Sequence, residues 1–186
     1  MSPLDYWSQY AKDFQDNYNE EMAKFIRDLA ISLRAASVLE VGCSAGNDLK
    51  LFPSNIDVNG IDQDESAVGL AQKNLPSFKF KATSAISLPY DDSSIDFVFT
   101  RNLLNYVESD DVDKILKEMY RVSKKYILNI ERFSDGEKPL DDDQVPAWGR
   151  SMQNRWMNFK VKIISNVEMH HEIDPKKSRF VLLRKI

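Results

Sequence analysis

The stretch from Val38 to Leu49 constrains the fold of this chain more than any other. An apolar run rich in β-branched residues, Val38-Leu39-Glu40-Val41, precedes two glycines at positions 42 and 46. A helical pattern begins at Leu49, so the stretch predicts a strand, a tight loop and the N-terminus of a helix. Open α/β sheets bind nucleotides at such loops, because a ligand can approach the backbone where no Cβ intervenes.

The spacing of the glycines indicates which kind of ligand would suit the loop. A dinucleotide-binding loop has the pattern G-x-G-x-x-G and places a pyrophosphate at the helix N-terminus. Here three residues separate Gly42 from Gly46, and Asp48 follows just inside the predicted helix. An acid at that position would repel a pyrophosphate, so the loop favours a nucleoside ligand without phosphates.

Length and composition are those of one globular domain. The 186 residues, 42% hydrophobic and 11% aromatic, suit a central sheet covered by helices. The N-terminal region has no long apolar run, which predicts a cytoplasmic protein without a secretory signal or membrane span. One cysteine excludes an internal disulfide, and the only histidines, His170 and His171, are adjacent, so we expect no metal cluster.

Charge is distributed unevenly along the chain, which has a net charge of -4. Residues 1–100 hold 8 Lys and Arg against 15 Asp and Glu, whereas residues 101–186 hold 17 against 14. A nucleic-acid surface would combine basic residues with exposed aromatic residues at a readable spacing. No such spacing follows Arg150, so we interpret the basic C-terminal third as a solvated surface and expect no nucleic-acid partner.

Two helices are predicted before the glycine loop. Residues 4–18 place Trp7, Tyr10 and Phe14 on one helical face. This helix could dock as ordinary core, or it could be a lid that covers a ligand and excludes water. Residues 19–33 have the apolar spacing of a clear amphipathic helix.

A second strand, predicted over residues 56–62, ends in an acid. Asp62 lies 20 residues beyond Gly42, the distance at which an acid on the neighbouring strand can accept hydrogen bonds from both hydroxyls of a ribose. Alternatively, Asp62 or Asp64 caps the helix that follows. We favour ribose binding for Asp62, which leaves Asp64 or Glu65 for the cap.

The remaining pattern completes an α/β fold. It predicts strands over residues 78–82, 126–131, 160–166 and 179–185, an acidic turn and strand over 91–100, a helix capped by Ser109 or Asp110, a helix from Trp148 to Phe159, and an acidic loop over 134–146 that holds Asp141-Asp142-Asp143. The seven predicted strands would form one central sheet with helices on both faces. We predict one domain over residues 1–186, with 1–34 as an N-terminal helical lid and 35–186 as the core.

Three motifs, in order along the chain, resemble those of the class I S-adenosylmethionine (SAM) methyltransferases. The pattern Glu40-x-Gly42-x-x-x-Gly46 resembles their motif I, with Ser44 where a third glycine is common. Residues 83–90 resemble the family's G-D-A-x-x-L-P-F stretch, and residues 91–98 resemble its D-x-S-F-D-x-V turn and strand. The resemblance implies a Rossmann-like, seven-stranded, mostly parallel sheet with an antiparallel last strand and helices on both faces. It also implies SAM as the cofactor and S-adenosylhomocysteine (SAH) as its product.

The resemblance also implies which residues bind the cofactor. They are Tyr10, Glu40, Gly42, Cys43, Ser44, Gly46, Asp62, Gln63, Ser84, Ala85 and Thr100. Ser84 stands where the family has the acid that binds the adenine amino group, so a charge-assisted hydrogen bond is lost. Cys43 has no spaced histidine partner, and we interpret its thiol as structural rather than nucleophilic.

The resemblance favours a methyltransferase that acts on a small molecule. Tyr6-Trp7, the segment 120–128 and the ending 180–185 are also similar to methylases associated with pseudaminic acid biosynthesis, which implies a sugar or nucleotide-sugar acceptor. Many relatives have histidine near the position of Asn105. The candidate catalytic residues are Tyr106 and Glu131, with Arg101, His170 and His171 as further polar candidates.

Two other functions are compatible with parts of this sequence. Ser44, Ser84 and Asn105 depart from the family pattern, which would also suit a SAM-fold binding or regulatory module without transferase activity. An NAD-dependent oxidoreductase is disfavoured by the glycine spacing and by Asp48. None of these motifs specifies the acceptor atom or the oligomeric state.

Overall fold

A computed structural model describes residues 3–141 and 144–186. The helices are α1 (Pro3–Phe14), α2 (Glu20–Ser32), α3 (Glu65–Asn74), α4 (Ser109–Val122) and α5 (Met152–Trp156). The strands are β1 (Ser37–Val41), β2 (Asp57–Asp62), β3 (Lys79–Ala82), β4 (Ile95–Arg101), β5 (Ser123–Glu131), β6 (Lys138–Pro139), β7 (Trp148–Gly149), β8 (Val161–Glu168) and β9 (Arg179–Lys185). Asp142 and Asp143 of the predicted acidic loop lie outside the described residues.

Seven of the strands form one sheet in the order β3-β2-β1-β4-β5-β9-β8. β1, β2 and β3 pair in parallel, as do β4 and β5, whereas β9 is antiparallel to both β5 and β8. Residues 169–178 connect β8 to β9, and this segment is shorter than the dozen or so residues that a parallel crossover requires. The predicted mostly parallel, seven-stranded sheet with an antiparallel last strand is confirmed.

The chain divides into two compact units, one up to Ala85 and one from Ile86 onward. The first unit holds α1 to α3 and β1 to β3. Its helix α2 buries an apolar face that consists of Met22, Ala23, Ile26 and Ala30. Asn19 caps this helix, because its side-chain oxygen accepts from the Met22 backbone N–H at 3.0 Å. The division falls elsewhere than the predicted boundary at residue 34, and the single-domain organisation stays a prediction.

The second unit is built on β4 and β5, whose residues are mostly buried. Such near-continuous apolar strands are typical of parallel strands that are covered on both faces. The rings of Phe97 and Phe99 stack on one face of β4 with centroids 5.7 Å apart. α4 ends at Val122, and β5 follows at once because the Ser123 backbone N–H closes the helix on the Met119 carbonyl.

The predicted helix after the glycine loop is wrong. Residues Asn47–Leu49 form a single 3-10 turn, after which the chain reaches Pro53 and begins β2 at Asp57. A proline cannot donate the backbone hydrogen bond that a continuing helix needs, and too few residues remain before β2 for a helix of normal length. Asp48 therefore lies in a buried turn instead of the first turn of a helix.

The predicted cap of α4 is also wrong. The N-cap residue is Glu108, which makes no side-chain capping hydrogen bond. Ser109, the predicted cap, uses its hydroxyl elsewhere, because it donates to the Glu137 carboxylate at 3.1 Å and accepts from the Arg155 guanidinium at 2.5 Å. The Ser109 hydroxyl thus belongs to a long-range network with Glu137 and Arg155 and does not cap the helix.

The helix predicted from Trp148 to Phe159 shrinks to Met152–Trp156. Trp148 belongs to β7, where it pairs with Pro139 of β6 in a separate two-stranded sheet. Residues with helical spacing therefore form strand pairs instead of a helix.

Among the described residues, no helix combines the length and the apolar character that crossing a bilayer requires.

Candidate cofactor site

Three strand ends meet at one edge of the first unit. β1, β2 and β3 run in parallel, with Val41 paired to Ile61 and Asp62 paired to Ala82. The parallel pattern continues one residue beyond the strands, because the Thr83 backbone N–H donates to the Asp62 carbonyl at 2.8 Å. Carboxyl ends of parallel strands are where open α/β sheets bind their ligands.

The glycine loop is held tightly at this edge. The backbone N–H groups of Gly42 and Cys43 both donate to the Ile61 carbonyl, at 2.8 and 2.9 Å. Gly42 and Gly46 have φ angles of 81° and 77°, in the left-handed region that glycine adopts without strain. Ser44 has a φ of 47°, so a residue with a side chain also adopts this conformation in the loop.

Gly46 is required by packing inside the protein as well as by its backbone angle. A Cβ at this position would lie 3.0 Å from Leu75 Cδ1 and 3.2 Å from the Phe80 ring. Gly60 of β2 has a tighter environment, because a Cβ there would lie 2.8 Å from both the Cys43 sulfur and the Phe80 ring. Part of the space that these glycines leave free is therefore filled by side chains of the protein and not by a ligand.

The carboxylate of Asp62 ties β2 to the glycine loop. Its Oδ2 accepts from the Ser44 backbone N–H at 2.9 Å, and its Oδ1 accepts from the Asp64 backbone N–H at 3.0 Å. Burial raises the pKa of Asp62 above its usual value, and these backbone hydrogen bonds oppose the rise. Asp62 thus has a fixed position at the strand edge, where the sequence predicts a ribose-binding acid.

Asp64 is the N-cap of α3, as one of the two alternatives predicted. Its Oδ1 accepts from the Ser66 backbone N–H at 2.8 Å and from that of Ala67 at 3.4 Å. Its Oδ2 accepts from the Ser8 hydroxyl of α1 at 2.5 Å. Because Asp64 caps the helix, Asp62 is free of that task.

Helix α1 packs against the glycine loop. Ala11 is 1% exposed and forms a buried cluster with Ala45 of the loop and Ala67 of α3. At the last residue of the helix, the Asn47 side-chain amide donates to the Phe14 carbonyl at 3.0 Å. Tyr10 is 38% exposed and stacks on Phe14 with ring centroids 4.4 Å apart. The helix therefore docks on the loop, and its action as a lid stays a prediction.

Cys43 and Glu40 are buried beside the loop, at 2% and 3% exposure. Burial, together with the negative charges of Glu40 and Asp62, raises the pKa of the Cys43 thiol well above its ordinary value. The sulfur contacts the Ser44 carbonyl at 3.7 Å. A thiol in this environment stays protonated, which agrees with its structural interpretation.

The other predicted cofactor residues of the first unit have different exposures. Gln63 and Ser84 are exposed, and Ala85 is half-buried. Gln63 directly follows β2, and Ser84 lies two residues beyond β3. The structure thus brings them to the edge that holds the glycine loop and Asp62.

Thr100, the predicted cofactor residue of the second unit, has a fully buried side chain. Its hydroxyl accepts from the Asn129 side-chain amide at 2.8 Å, and the Asn129 oxygen accepts from the Trp156 indole N–H at 2.6 Å. The side chain belongs to this internal network, and its role toward a cofactor stays a prediction. The sequence reasoning missed Asn129, whose position inside an apolar strand was the available signal.

Glu131, a candidate catalytic residue, is 1% exposed at the end of β5. Its two carboxylate oxygens accept from the backbone N–H groups of Leu103 and Asn105, each at 3.4 Å. Burial raises the pKa of Glu131 to about 7, and the hydrogen bonds that its carboxylate accepts, led by the one from the Thr100 side chain, oppose the rise. In this structure Glu131 positions the loop that follows β4.

Asn105 fixes the same loop from the other side. Its amide donates to the carbonyls of Trp148, at 2.7 Å, and Arg132, at 3.1 Å, and its oxygen accepts from the Arg132 backbone N–H at 2.9 Å. With 1% exposure, Asn105 is a structural residue that holds this loop. Tyr106, the next residue, is half-buried.

Arg150 is a further residue that the sequence reasoning missed. It is 2% exposed, and its guanidinium donates to the carbonyls of Leu104 and Val107 and to the Glu137 carboxylate at 2.9 Å. Arg150 therefore clamps the loop that carries Tyr106. Nothing in its local sequence distinguishes it from the exposed basic residues that follow.

The two histidines come together with one acid. Ligand atoms of His170, His171 and Glu172 lie within 4.8 Å of one another, and all three side chains are exposed. Exposed groups of this kind are common without an ion. The expectation of no metal stays a prediction.

Sequence comparison matches a family model to slightly less than half of the chain. Residues 38–126 match the family described as a methyltransferase domain. An uncharacterized protein of Haemophilus influenzae is 31% identical over 97 residues, which make up 47% of this chain and 38% of that protein. The chain thus spans less than half the length of this relative.

Solved structures share the fold at low sequence identity. A SAM-dependent methyltransferase of Methanosarcina mazei superposes with a TM-score of 0.66 and 20% identity, covering 81% of this chain and 92% of its own. The 1,6-didemethyltoxoflavin-N1-methyltransferase of Burkholderia thailandensis, solved with its substrate and SAH, gives a TM-score of 0.70 at 16% identity and covers 100% and 91%. Residues 38–126 thus match a methyltransferase domain in sequence, and the chain shares its fold with these SAM-dependent methyltransferases.

Proposed function

We propose that this chain is a SAM-dependent methyltransferase that acts on a small molecule. The observation that carries the proposal is the common edge of β1, β2 and β3, where the glycine loop, Asp62 and Ser84 come together. The family match supports the reaction class. The Burkholderia enzyme, with a similar fold, methylates a small molecule.

The residues at this edge suit a nucleoside. A carboxylate has about four lone-pair sites, and the backbone N–H groups of Ser44, Gln63 and Asp64 occupy three of those on Asp62. At least one acceptor site is left for a ribose hydroxyl. The exposed side chains of Gln63 and Ser84 add uncharged hydrogen-bonding groups beside it. The 3-10 turn after the loop supplies no helix N-terminus for a pyrophosphate, which argues against a dinucleotide.

When bound, SAM supplies a methyl group that its sulfonium has already activated. The protein then contributes mainly by holding the acceptor atom in line with the methyl carbon and by excluding water. We assign the orienting role to the loop that follows β4, because Glu131, Asn105 and Arg150 fix it at its backbone. Tyr106 is a half-buried polar side chain of this loop.

An oxygen acceptor would also have to lose a proton. Glu131 has a pKa of about 7, close to that of a useful base, but its carboxylate is buried and hydrogen-bonded to the backbone. Tyr106 is therefore the better candidate for direct contact with the acceptor. We propose a sugar or nucleotide-sugar as the acceptor, on the basis of the resemblance described above.

A binding or regulatory module without transferase activity is the alternative. The observation that favours it is the burial of Glu131 at the position where a catalytic carboxylate was expected. Such a module would bind SAM or SAH at the same edge, so cofactor binding alone does not separate the two functions.

Calorimetric titration with SAH tests the cofactor site first. We expect micromolar binding to the wild type and a loss of about 1–3 kcal/mol in Asp62→Ala, because hydrogen-bond partners are left unpaired. Asp57→Ala is the matched control, since Asp57 is the exposed acid at the opposite end of the same strand, and it should bind SAH like the wild type. Equal binding by all three proteins would contradict the assignment of Asp62.

Transfer is tested by following SAH formation from SAM with a panel of nucleotide-sugars. Acceptor-dependent SAH formation would support the methyltransferase. Tight SAH binding without turnover on any acceptor would favour the binding module instead.

A further inference from the structure

Arg179 lies at the edge of the second unit where β5 ends. It is the first residue of β9 and pairs with Glu131, the last residue of β5. Because β9 is antiparallel to β5, its beginning lies at the carboxyl end of β5. Residues directly opposite on neighbouring antiparallel strands present their side chains on the same face of the sheet. Arg179 and Glu131 therefore share one face at this edge.

The guanidinium of Arg179 packs on an aromatic ring, and no acid among the described residues pairs with it. Its central carbon lies 3.9 Å from the centroid of the Phe133 ring, a cation–π contact. Its Nε is buried and has no hydrogen-bond partner in the structure. A buried, charged donor without an acceptor is costly, and such groups in folded proteins call for an explanation.

The two acids that flank Arg179 do not supply the missing partner. Glu131 directs its carboxylate to the backbone of Leu103 and Asn105. Glu168 of β8 is directly opposite Arg179 on its other side, and its side chain is exposed to solvent. Among the described residues, no acid forms an ion pair with Arg179 within 4.0 Å.

The segment before Arg179 is built as a rigid turn that adds positive charge. The buried carboxylate of Asp174 accepts from the backbone N–H groups of Lys176, at 3.1 Å, and Ser178, at 2.9 Å. Lys177 has a φ of 52° and an exposed side chain. The carboxylate of Asp174 is thus hydrogen-bonded to the backbone, and the charged end of Lys177, two residues before Arg179, is exposed to solvent.

We propose that Arg179 binds an oxyanion, a phosphate or a carboxylate, of the methyl acceptor. The planar guanidinium stacked on Phe133 presents its N–H donors in the fixed arrangement that suits such groups. This inference rests on the proposed function and adds the charge class of the acceptor. It predicts that neutral sugars are poor acceptors in comparison with phosphorylated or carboxylated ones.

The test is an NMR titration of the isotopically labelled, SAH-saturated protein with inorganic pyrophosphate and, separately, with malonate. Backbone amide shifts around Arg179 give the location and the dissociation constant of each anion. We expect binding at millimolar concentration or tighter, and the stronger of the two probes distinguishes a phosphate from a carboxylate as the recognised group.

Three variants and one control assign the binding to the guanidinium. Arg179→Met keeps an apolar stem on Phe133 and should weaken binding about ten- to hundredfold, the usual loss for a hydrogen bond to a charged group. Arg179→Lys keeps the positive charge but loses the planar set of N–H donors, so its affinity for the anion should lie between those of the wild type and Arg179→Met. Glu168→Gln removes a repelling charge and should tighten binding. Arg184→Met, at the other end of β9 where the side chain is exposed, should bind like the wild type.

Absence of binding, or equal binding by wild type and Arg179→Met, overturns the inference. If Arg179→Met does not fold, Arg179→Lys and Glu168→Gln still decide, because both must change the affinity in the stated directions. Failure is separable from failure of the proposed function, since SAH binding is measured independently. A protein that binds SAH but neither anion keeps the proposed function and loses this inference.

Discussion

Cys43 shows how a single side chain can resemble a reactive group while its environment makes it inert. The thiol is 2% exposed, and burial together with two nearby acids raises its pKa. Alkylation requires the thiolate, so the native protein should be labelled far more slowly by iodoacetamide at pH 7.5 than the urea-unfolded protein, by at least about a hundredfold. Mass spectrometry of timed samples measures this. Comparable labelling rates in the two states would contradict the assigned burial.

Glu131 should make stability depend on pH. Its pKa rises from an ordinary 4.5 to about 7 on folding, so the folded state binds more protons than the unfolded state between these values. The free energy of unfolding should therefore fall as pH rises through this window, by up to about 3 kcal/mol, and level off above pH 7. Urea unfolding at pH 5, 6, 7 and 8 measures the slope.

Glu131→Gln is the comparison for that experiment. Asp62 also has a raised pKa and contributes a slope of the same sign, which both proteins share. The difference between the wild type and Glu131→Gln therefore isolates Glu131, and the variant should show the smaller decline. Parallel pH profiles would exclude Glu131 as the source.

Residue types at strand ends could be predicted from sequence, but their partners could not. Asp62 was placed at the correct strand end because strand length and spacing fix that position. The side chains of Asn105 and Thr100 hydrogen-bond to groups distant in sequence, such as Trp148 and Asn129. Such partners depend on how strands and loops pack, which local pattern does not encode.

At the scale of elements, α1 is the one whose attachment can be tested most directly. It docks through Ala11, which leaves no room for a larger polar side chain between the loop and α3. Ala11→Asp should detach the helix, because burying an unpaired charge is strongly unfavourable. Hydrogen exchange of residues 5–14 should then accelerate at least about tenfold, and the affinity for SAH should fall if α1 acts as a lid.

Lys12→Asp is the matched control for α1. It introduces the same residue one position later, on the exposed face of the helix and equally close to its C-terminal end. The control should leave exchange of α1 nearly unchanged. Similar acceleration in both variants would mean that helix propensity, and not docking, determines how firmly α1 is held.

The elements predicted best from the sequence are those with a strong hydrophobic periodicity whose residues have no alternative pairing elsewhere in the fold. α2 and β9 were predicted within one or two residues of their observed bounds. The helix after Gly46 failed because Pro53 and the start of β2 limit its length. The helix from Trp148 failed because residues of similar pattern pair as strands, a choice set by contact with β6.

For the whole molecule, the proposed function predicts an uneven response to the cofactor. Hydrogen exchange with saturating SAH should slow most in residues 40–48, 60–66 and 82–85, where the predicted contacts lie. Residues of β8 and β9 should change little, because none of the predicted cofactor residues belongs to them. Mass spectrometry of exchanged peptides provides this map. Protection centred on β8 and β9 would contradict the proposed location of the cofactor.

The contact among Gly60, Cys43 and Phe80 limits which sequences can share this loop. A Cβ at position 60 would collide with both partners at 2.8 Å, so alanine there is tolerated only if the side chains at 43 and 80 become smaller together. The three positions should therefore vary jointly among homologous chains. The residue at position 43 would then be determined by packing against the neighbouring strand, and it would not indicate which reaction the site catalyses.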